Sequence, residues 1–425
     1  MGSSFHERVL QASIESGRLG GDRPLAAFLD THRVARTIDA LKSAFPSHFE
    51  HMFAAKANTM RRALELVKSL GMGCEVASPG ELEQALRCGF TPREIVFDEP
   101  AKTMSVLKKV LETGVNLNID NFQEFSRVAK LRDAARRDAD IGFRINPQVG
   151  AGKIGAMSTA TQSSKFGVAL EDDGNREELI RLYRDNPWLN SLHTHVGSQG
   201  CSQELMVAGV RKVTALAEEI NAALGRQQVG VIDIGGGLPV NFSGDEDKPT
   251  FADYAQALEA EIPVLFSGKY RVKTEFGRSV MAKSGFIASR IEYTKVSGGR
   301  HIAISHAGAQ VATRTIFMPE YWKIRISAFG PDGTAKSGEP VEQDIAGPLC
   351  FAGDMAGTGR HLPLIEPGDY VVLHDTGAYY FSNPFFYNAL PAPAVYGAEP
   401  GQDGSMQLDC WRQQQSMDDM LAVIG

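Results

Sequence analysis

The sequence predicts an α/β architecture joined to an all-β one: a (β/α)8 barrel of the TIM type, followed by a C-terminal β-sandwich or β-barrel domain. Two observations carry the barrel. Eight short apolar runs, at 51–56, 73–77, 94–98, 115–120, 141–146, 191–196, 230–234 and 270–275, alternate with helical patterns such as Met60–Leu70, Pro79–Cys88 and Thr103–Thr113. Regular alternation of strand and helix is the pattern of a parallel sheet closed by crossovers. Polar residues then recur at one end of the runs: Lys56, Asp98, Asp120, Arg144, Asn146, His195, Gly235 and Glu275 lie at or just past it. That is where barrels of this class carry their chemistry. A third observation marks the second domain, because after about residue 280 the chain changes to β-rich runs broken by Gly, Pro and Asp.

Taken in order, residues 1–24 read as a polar helix and a loop, and Pro24–Asp30 reads as a strand. Thr31 is placed to cap a helix running to about Phe45. The expected boundaries are an N-terminal segment, 1–34, that joins the β domain; the barrel at 35–280; and the C-terminal β domain at 281–425. Within the last, Ile287–Val296, His301–Ser305, Lys323–Phe329 and Tyr370–His374 are strand-like, with Pro367-Gly368-Asp369 as a turn. The tail is polar after Gly401 and ends in a short helix, Ser416–Val423.

Composition bounds the function. The 425 residues exceed one ordinary core, and 43% hydrophobic with 22% charged residues is the balance of a globular protein. A net charge of −7 supplies no basic face for nucleic acid. No apolar window is long enough for a membrane span, and the first residues lack a secretory h-region. Five scattered cysteines suit reduced thiols, so a cytoplasmic location is expected.

Six stretches carry candidate chemistry. The run His51–Ala55 delivers Lys56 to a strand end, where apolar walls would lower its ammonium pKa and make it a nucleophilic amine; a snorkelling surface lysine is the alternative. Gly235-Gly236-Gly237 after an apolar strand lets backbone amides surround an anion, or is a plain turn. Glu275-Phe276-Gly277-Arg278 can clamp a ligand or pair internally. His193 and His195 share a strand face, but no third and fourth ligand appear at metal spacing, so no metal is expected. In the β domain, Cys350 lies on a Gly/Pro-rich loop four residues before Asp354, as acid, nucleophile or inert filler. Tyr379 follows a strand in Gly377-Ala378-Tyr379.

These stretches together resemble the alanine-racemase-like (fold type III) pyridoxal-phosphate decarboxylases, most similarly the diaminopimelate decarboxylases. The likeness runs from Pro24 to about Tyr396 in the family's order: Phe53–Asn58, Arg144–Pro147, Ser164–Gly167, His193–Gln199, Gly235–Gly237, Glu275–Arg278, Cys350 with Asp354, and Gly377–Tyr379. The resemblance implies a pyridoxal 5'-phosphate enzyme that decarboxylates an amino acid. It assigns Lys56 the covalent hold on the cofactor, His195 the stack on its ring and Glu275 the ring nitrogen. Ser198, Gly235, Gly236, Gly237, Gly277, Arg278 and Tyr379 would hold the phosphate. Cys350 would enter the site from the partner subunit of a homodimer and deliver a proton to Cα.

Departures from the family pattern gather where substrate is expected. Phe351 stands for a glutamate that binds the substrate's distal end, Ala352 for a serine, His306 for an aspartate, and Met318 for an aromatic. Arg314 keeps the arginine that grips a carboxylate, and Asp354 or Glu320 are the acids nearby in sequence. The substrate site is thus expected to draw on Arg314, Phe351, Asp354, Met318 and His306, with an altered distal pocket. The alternatives are diaminopimelate decarboxylase proper, a racemase using the same cofactor, and a non-catalytic homologue.

Overall fold

The structure is a computed structural model that describes residues 4–132 and 138–425. By contacts the chain divides into two units: 35–240 with 247–280, and 1–34 with 241–246 and 281–425. The stretch 241–246 therefore departs from the expected barrel limits of 35–280.

The chain's first strand, Leu25–Asp30 (β1), belongs to the second of these units, and the barrel strands follow it. They are Phe49–Ala54 (β2), Gly73–Val76 (β3), Ile95–Phe97 (β4), Asn116–Ile119 (β5) and Ile141–Asn146 (β6), then, after a two-residue strand Val168–Ala169 (β7), Ser191–His193 (β8), Val231–Asp233 (β9) and Arg271–Phe276 (β10). All eight expected strands are present, within a few residues at each end. Hydrogen bonding runs β5-β4-β3-β2-β10-β9-β8-β6, and a β5–β6 pairing closes the ring, every pair parallel. A parallel strand covered on both faces is mostly apolar, and β6 is buried at all six positions, with its polar Arg144 and Asn146 toward its C-terminal end.

Local signals start and stop the helices between the strands. Ser78 caps Pro79–Arg87 by accepting from the Glu81 amide, with Pro79 in the first turn. Thr103 caps Met104–Thr113, which ends at Gly114 in the left-handed conformation. Helix Thr31–Ala44 corrects an expectation: Asp30, not Thr31, accepts from the Arg33 amide, because Thr31 is already inside the first turn.

The other unit is built on a nine-stranded mixed sheet. Its further strands are Gly285–Ser297 (β11), Arg300–Ser305 (β12), Ile326–Phe329 (β13), Pro340–Ala346 (β14), Met355–Pro363 (β15), Tyr370–Leu373 (β16), Ala394–Pro400 (β17) and Met406–Arg412 (β18). The order is β15-β14-β12-β11-β1-β17-β18, with β16 joining β11 to β13. β1 lies antiparallel to β11 and parallel to β17, which is how the N-terminal segment enters this unit. The expected helices Phe5–Glu15 and Met417–Ile424 flank this sheet in the chain, and one that was not expected, Ala309–Phe317, also belongs to the unit. Phe28 is fully buried at the sheet's centre, stacked between Phe286 at 5.0 Å and Tyr396 at 5.7 Å. Val9 and Leu10 of the first helix pack on the same cluster.

Truncating Phe28 leaves a cavity between two rings that strand pairing holds apart. Phe28→Ala should cost about 3–5 kcal/mol in denaturant unfolding. A loss below about 1 kcal/mol would show that this core collapses around the gap.

Candidate active site

Strand register decides which polar groups meet at the C-terminal mouth of the barrel. Arg144, His193 and Asp233 are register partners across β6, β8 and β9, and Glu75 pairs with Ala54, two residues before Lys56. Lys56, expected at the end of the run 51–56, lies two residues past the end of β2, in the 3-10 turn Ala55–Ala57. The apolar walls expected around it are replaced by acid: its Nζ donates to Glu75 Oε2 at 2.8 Å.

Glu75 is fully buried, and burial raises its carboxyl pKa against the pull of Lys56. Burial raises Glu275 too, helped by repulsion from Glu75 and Asp98, up to about 8. Asp233 is driven well above the carboxylate range by burial and by Glu275, while its Oδ1 accepts from the Gly235 amide at 3.0 Å. Asp98 is the exception: burial works against it, but its ion pair with Arg144 holds it below its usual value. Arg144 in turn lies 4.4 Å from the centre of the Phe166 ring.

His193 Nε2 is 3.3 Å from Glu275 Oε2. Burial lowers the pKa of His193, and lowers that of His195 further with repulsion from Lys56 and Arg144. The Gly236 amide donates to His195 Nδ1 at 3.2 Å, so that nitrogen is the acceptor and the ring is neutral with its proton on Nε2. Arg278 Nη2 donates to Ser198 Oγ at 3.4 Å, beside the glycine loop. A Cβ at Gly236 would strike the Glu275 carbonyl oxygen, and one at Gly237, whose φ is +99°, would strike that of Gly197. Gly277 packs on Ala54 and Ala57, which sets the Arg278 turn against the lysine turn. Among the described residues, His193, Asp233 and Glu275 are the one set of three whose donor atoms converge, all within 4.8 Å. With their carboxyl pKa values raised, these groups suit a shared-proton network.

The barrel unit thus gathers Lys56, His195, Ser198, Gly235–Gly237, Glu275, Gly277 and Arg278. The β unit gathers the rest in two places. The Arg314 guanidinium lies 4.1 Å from the Tyr379 ring centre and 5.3 Å from that of Trp322. Its Nη1 is buried with no hydrogen-bond partner among the described residues. Tyr379 sits at φ +67°, a strained value for a tyrosine. Cys350 is exposed, and Phe351 next to it stacks on Phe317 at 5.4 Å.

Three expected substrate residues are placed otherwise. Asp354 is buried, and its two oxygens accept from the Ala309 amide at 2.7 Å and the Leu349 amide at 2.8 Å, so it pins the cysteine loop to the start of helix Ala309–Phe317. His306 pairs with Glu292 at 3.1 Å. Met318, half-buried, ends the helix at Phe317, its amide donating to the Arg314 carbonyl at 2.9 Å. Sequence reasoning missed Glu75, although a lone acid within an apolar strand run was a usable signal. It also missed Trp322 and Phe317, which carry no signal apart from contacts made by folding.

A carboxyl whose pKa is raised in the folded state binds its proton more tightly there than in the unfolded chain. Its stabilising contribution is complete below the ordinary value of 4.5 and is lost as pH rises through about 8. Stripped of any bound cofactor, the protein should therefore lose stability between these limits. Glu275→Gln should flatten that decline in denaturant midpoints measured against pH; an unchanged slope would remove Glu275 as a cause.

Comparison with known proteins agrees with this geometry. Residues 31–282 match the family described as pyridoxal-dependent decarboxylase, pyridoxal binding domain. The diaminopimelate decarboxylase of Bacteroides thetaiotaomicron is 29% identical over 378 residues, covering 88% of this chain and 95% of that protein. That of Pseudomonas fluorescens is 32% identical over 344 residues, 79% of this chain and 78% of its own. The crystal structure of the Helicobacter pylori enzyme complexed with L-lysine superimposes with a TM-score of 0.83 at 26% identity, covering 96% of this chain and 98% of that one. With the barrel, the lysine turn and the glycine loop in place, the chain belongs to the fold type III pyridoxal-phosphate-dependent amino-acid decarboxylases, in the diaminopimelate decarboxylase family.

Proposed function

We propose that the enzyme decarboxylates an α-amino acid whose distal end is acidic or uncharged rather than an ammonium, in sites shared between two copies of the chain. One observation carries this reading. Arg314 is a half-buried cation whose flanking contacts are aromatic rings and whose buried Nη1 has no hydrogen-bond partner among the described residues. A guanidinium held in this way takes a carboxylate in bidentate fashion. Phe351, where the family resemblance places an acid, stacks on another phenylalanine and offers no carboxylate to a distal ammonium, which would be costly to bury without a counter-charge.

The barrel residues fit pyridoxal phosphate. Glu275 Oε1 is buried without a hydrogen-bond partner among the described residues, and side chains at Gly236 or Gly237 would fill the cradle. Bound there, the cofactor supplies an electron sink for the charge left on Cα as CO2 departs. Lys56 Nζ would hold it covalently, and Glu275 would keep a proton shared with the ring nitrogen. Neutral His195 would stack on the ring without adding charge. Ser198, Gly235, Gly236, Gly237, Gly277, Arg278 and Tyr379 would bind the phosphate. Cys350 would deliver the proton to Cα from the partner subunit, its thiol lying exposed beside Phe351 on the free chain.

Two experiments test this. Mixing inactive Lys56→Ala with inactive Cys350→Ala should restore about a quarter of full activity, since random exchange makes half the dimers mixed, each with one intact site. No recovery after verified exchange would argue for sites made within one chain. In a CO2-release screen, Phe351→Glu should raise kcat/KM toward diaminopimelate by about tenfold or more and weaken the natural reaction. Efficient turnover of diaminopimelate by the unmodified enzyme would favour diaminopimelate decarboxylase proper.

A further inference from the structure

Cys350 is reached by a second loop that the reading above does not use. The segment Tyr387–Ala389 forms a single 3-10 turn, in which Asn388 and Ala389 both take positive φ, +54° and +53°. Asparagine tolerates this conformation; alanine rarely adopts it, and a neighbouring pair without glycine is a strained arrangement. The strain has a visible result. Asn388 is turned so that its Oδ1 accepts from the Cys350 amide at 2.9 Å. The same loop is tied down on its other side, where the Phe385 amide donates to the Gln310 carbonyl at 3.1 Å. Its rings continue the aromatic surface around the cysteine: Phe385 lies 5.9 Å from Phe317, which stacks on Phe351.

We infer that Asn388 is a positioning residue for Cys350, its side-chain carbonyl fixing the cysteine backbone so that the thiol is held in one direction. The cysteine loop is then anchored on both sides of the reacting residue. Asp354 holds the Leu349 amide before it, Asn388 holds the Cys350 amide itself, and the Phe351 ring holds the residue after it. The Leu349 carbonyl, on the same peptide plane as the Cys350 amide, accepts from the Phe351 amide at 2.7 Å. Asn388 holds the opposite edge of that plane, and it is the side-chain anchor that reaches the cysteine's own amide, from a turn with two positive φ values. The inference rests on Cys350 as proton donor, and the test keeps the two apart.

With only five cysteines in the chain, 15N-cysteine labelling gives a countable spectrum in which amide hydrogen exchange at Cys350 can be followed in the holoenzyme. Asn388→Gly keeps the left-handed backbone accessible and removes the acceptor; Asn388→Asp keeps both. Exchange at Cys350 should accelerate about three- to tenfold in Asn388→Gly, the range expected for one lost hydrogen bond, and stay near the unmodified rate in Asn388→Asp. With diaminopimelate, or whichever amino acid the CO2-release screen identifies, Asn388→Gly should lower kcat with KM little changed, and Asn388→Asp should recover most of it. Unchanged exchange in Asn388→Gly overturns the inference, as does equal loss in both variants. If Cys350→Ala retains full kcat, the proton-donor reading fails, while the exchange rates still decide whether Asn388 holds the cysteine.

Discussion

Burial of several carboxylates around one lysine is the constraint on which the barrel's chemistry depends. Glu75, Asp98, Asp233 and Glu275 are each nearly or fully shielded from water. Desolvation alone would neutralise them all. Their different fates follow from which cation stands nearest. Asp98 has the Arg144 guanidinium and stays ionised; Glu75 has the lysine; burial, with repulsion from Glu75 and Asp98 for Glu275 and from Glu275 for Asp233, drives the other two to hold protons. One fold therefore keeps an ionised pair and a proton-holding pair within the same cavity wall.

That arrangement matters for a pyridine cofactor. A ring nitrogen needs an acid opposite it that is reluctant to be a bare anion, so that the shared proton stays between them. On the proposed reading Glu275, whose carboxyl burial raises to about 8, would be that acid. Burial keeps His195 neutral, and a backbone amide pointing at Nδ1 places its proton on Nε2. The glycine loop thus does two things: it leaves space for an anion, and it fixes the tautomer of the adjacent imidazole.

The β unit organises its loops by a different device, side-chain acceptors on backbone amides. Asp354 joins the cysteine loop to the start of the helix that carries Arg314, and Asn388 joins the same loop to the aromatic turn. Residues 45 and 38 positions apart are thereby made neighbours, beside the ring contacts that Phe317 makes with Phe351 and Phe385. Exposed rings at Phe317, Phe351, Phe385 and Tyr387 remain on that surface beside Cys350.

Much of this was legible without coordinates. Alternation of apolar runs with helical periods determined the barrel, because parallel strands buried on both faces tolerate few polar residues except at their ends. The polar ends then exposed Lys56, His195, Glu275 and the glycine loop. Tertiary structure alone decided the environment of those residues. Glu75 reaches Lys56 through strand register, not sequence spacing, and it replaces the apolar walls that the run before the lysine suggested. Asp354 looked like a ligand beside a reactive cysteine, yet its oxygens are consumed by two amides that no local pattern announces. A sequence records which side chains are available and, through period and capping, which local elements they build. Whether a buried polar group faces a ligand or a backbone amide depends on contacts between distant segments, and those exist only once the chain has folded.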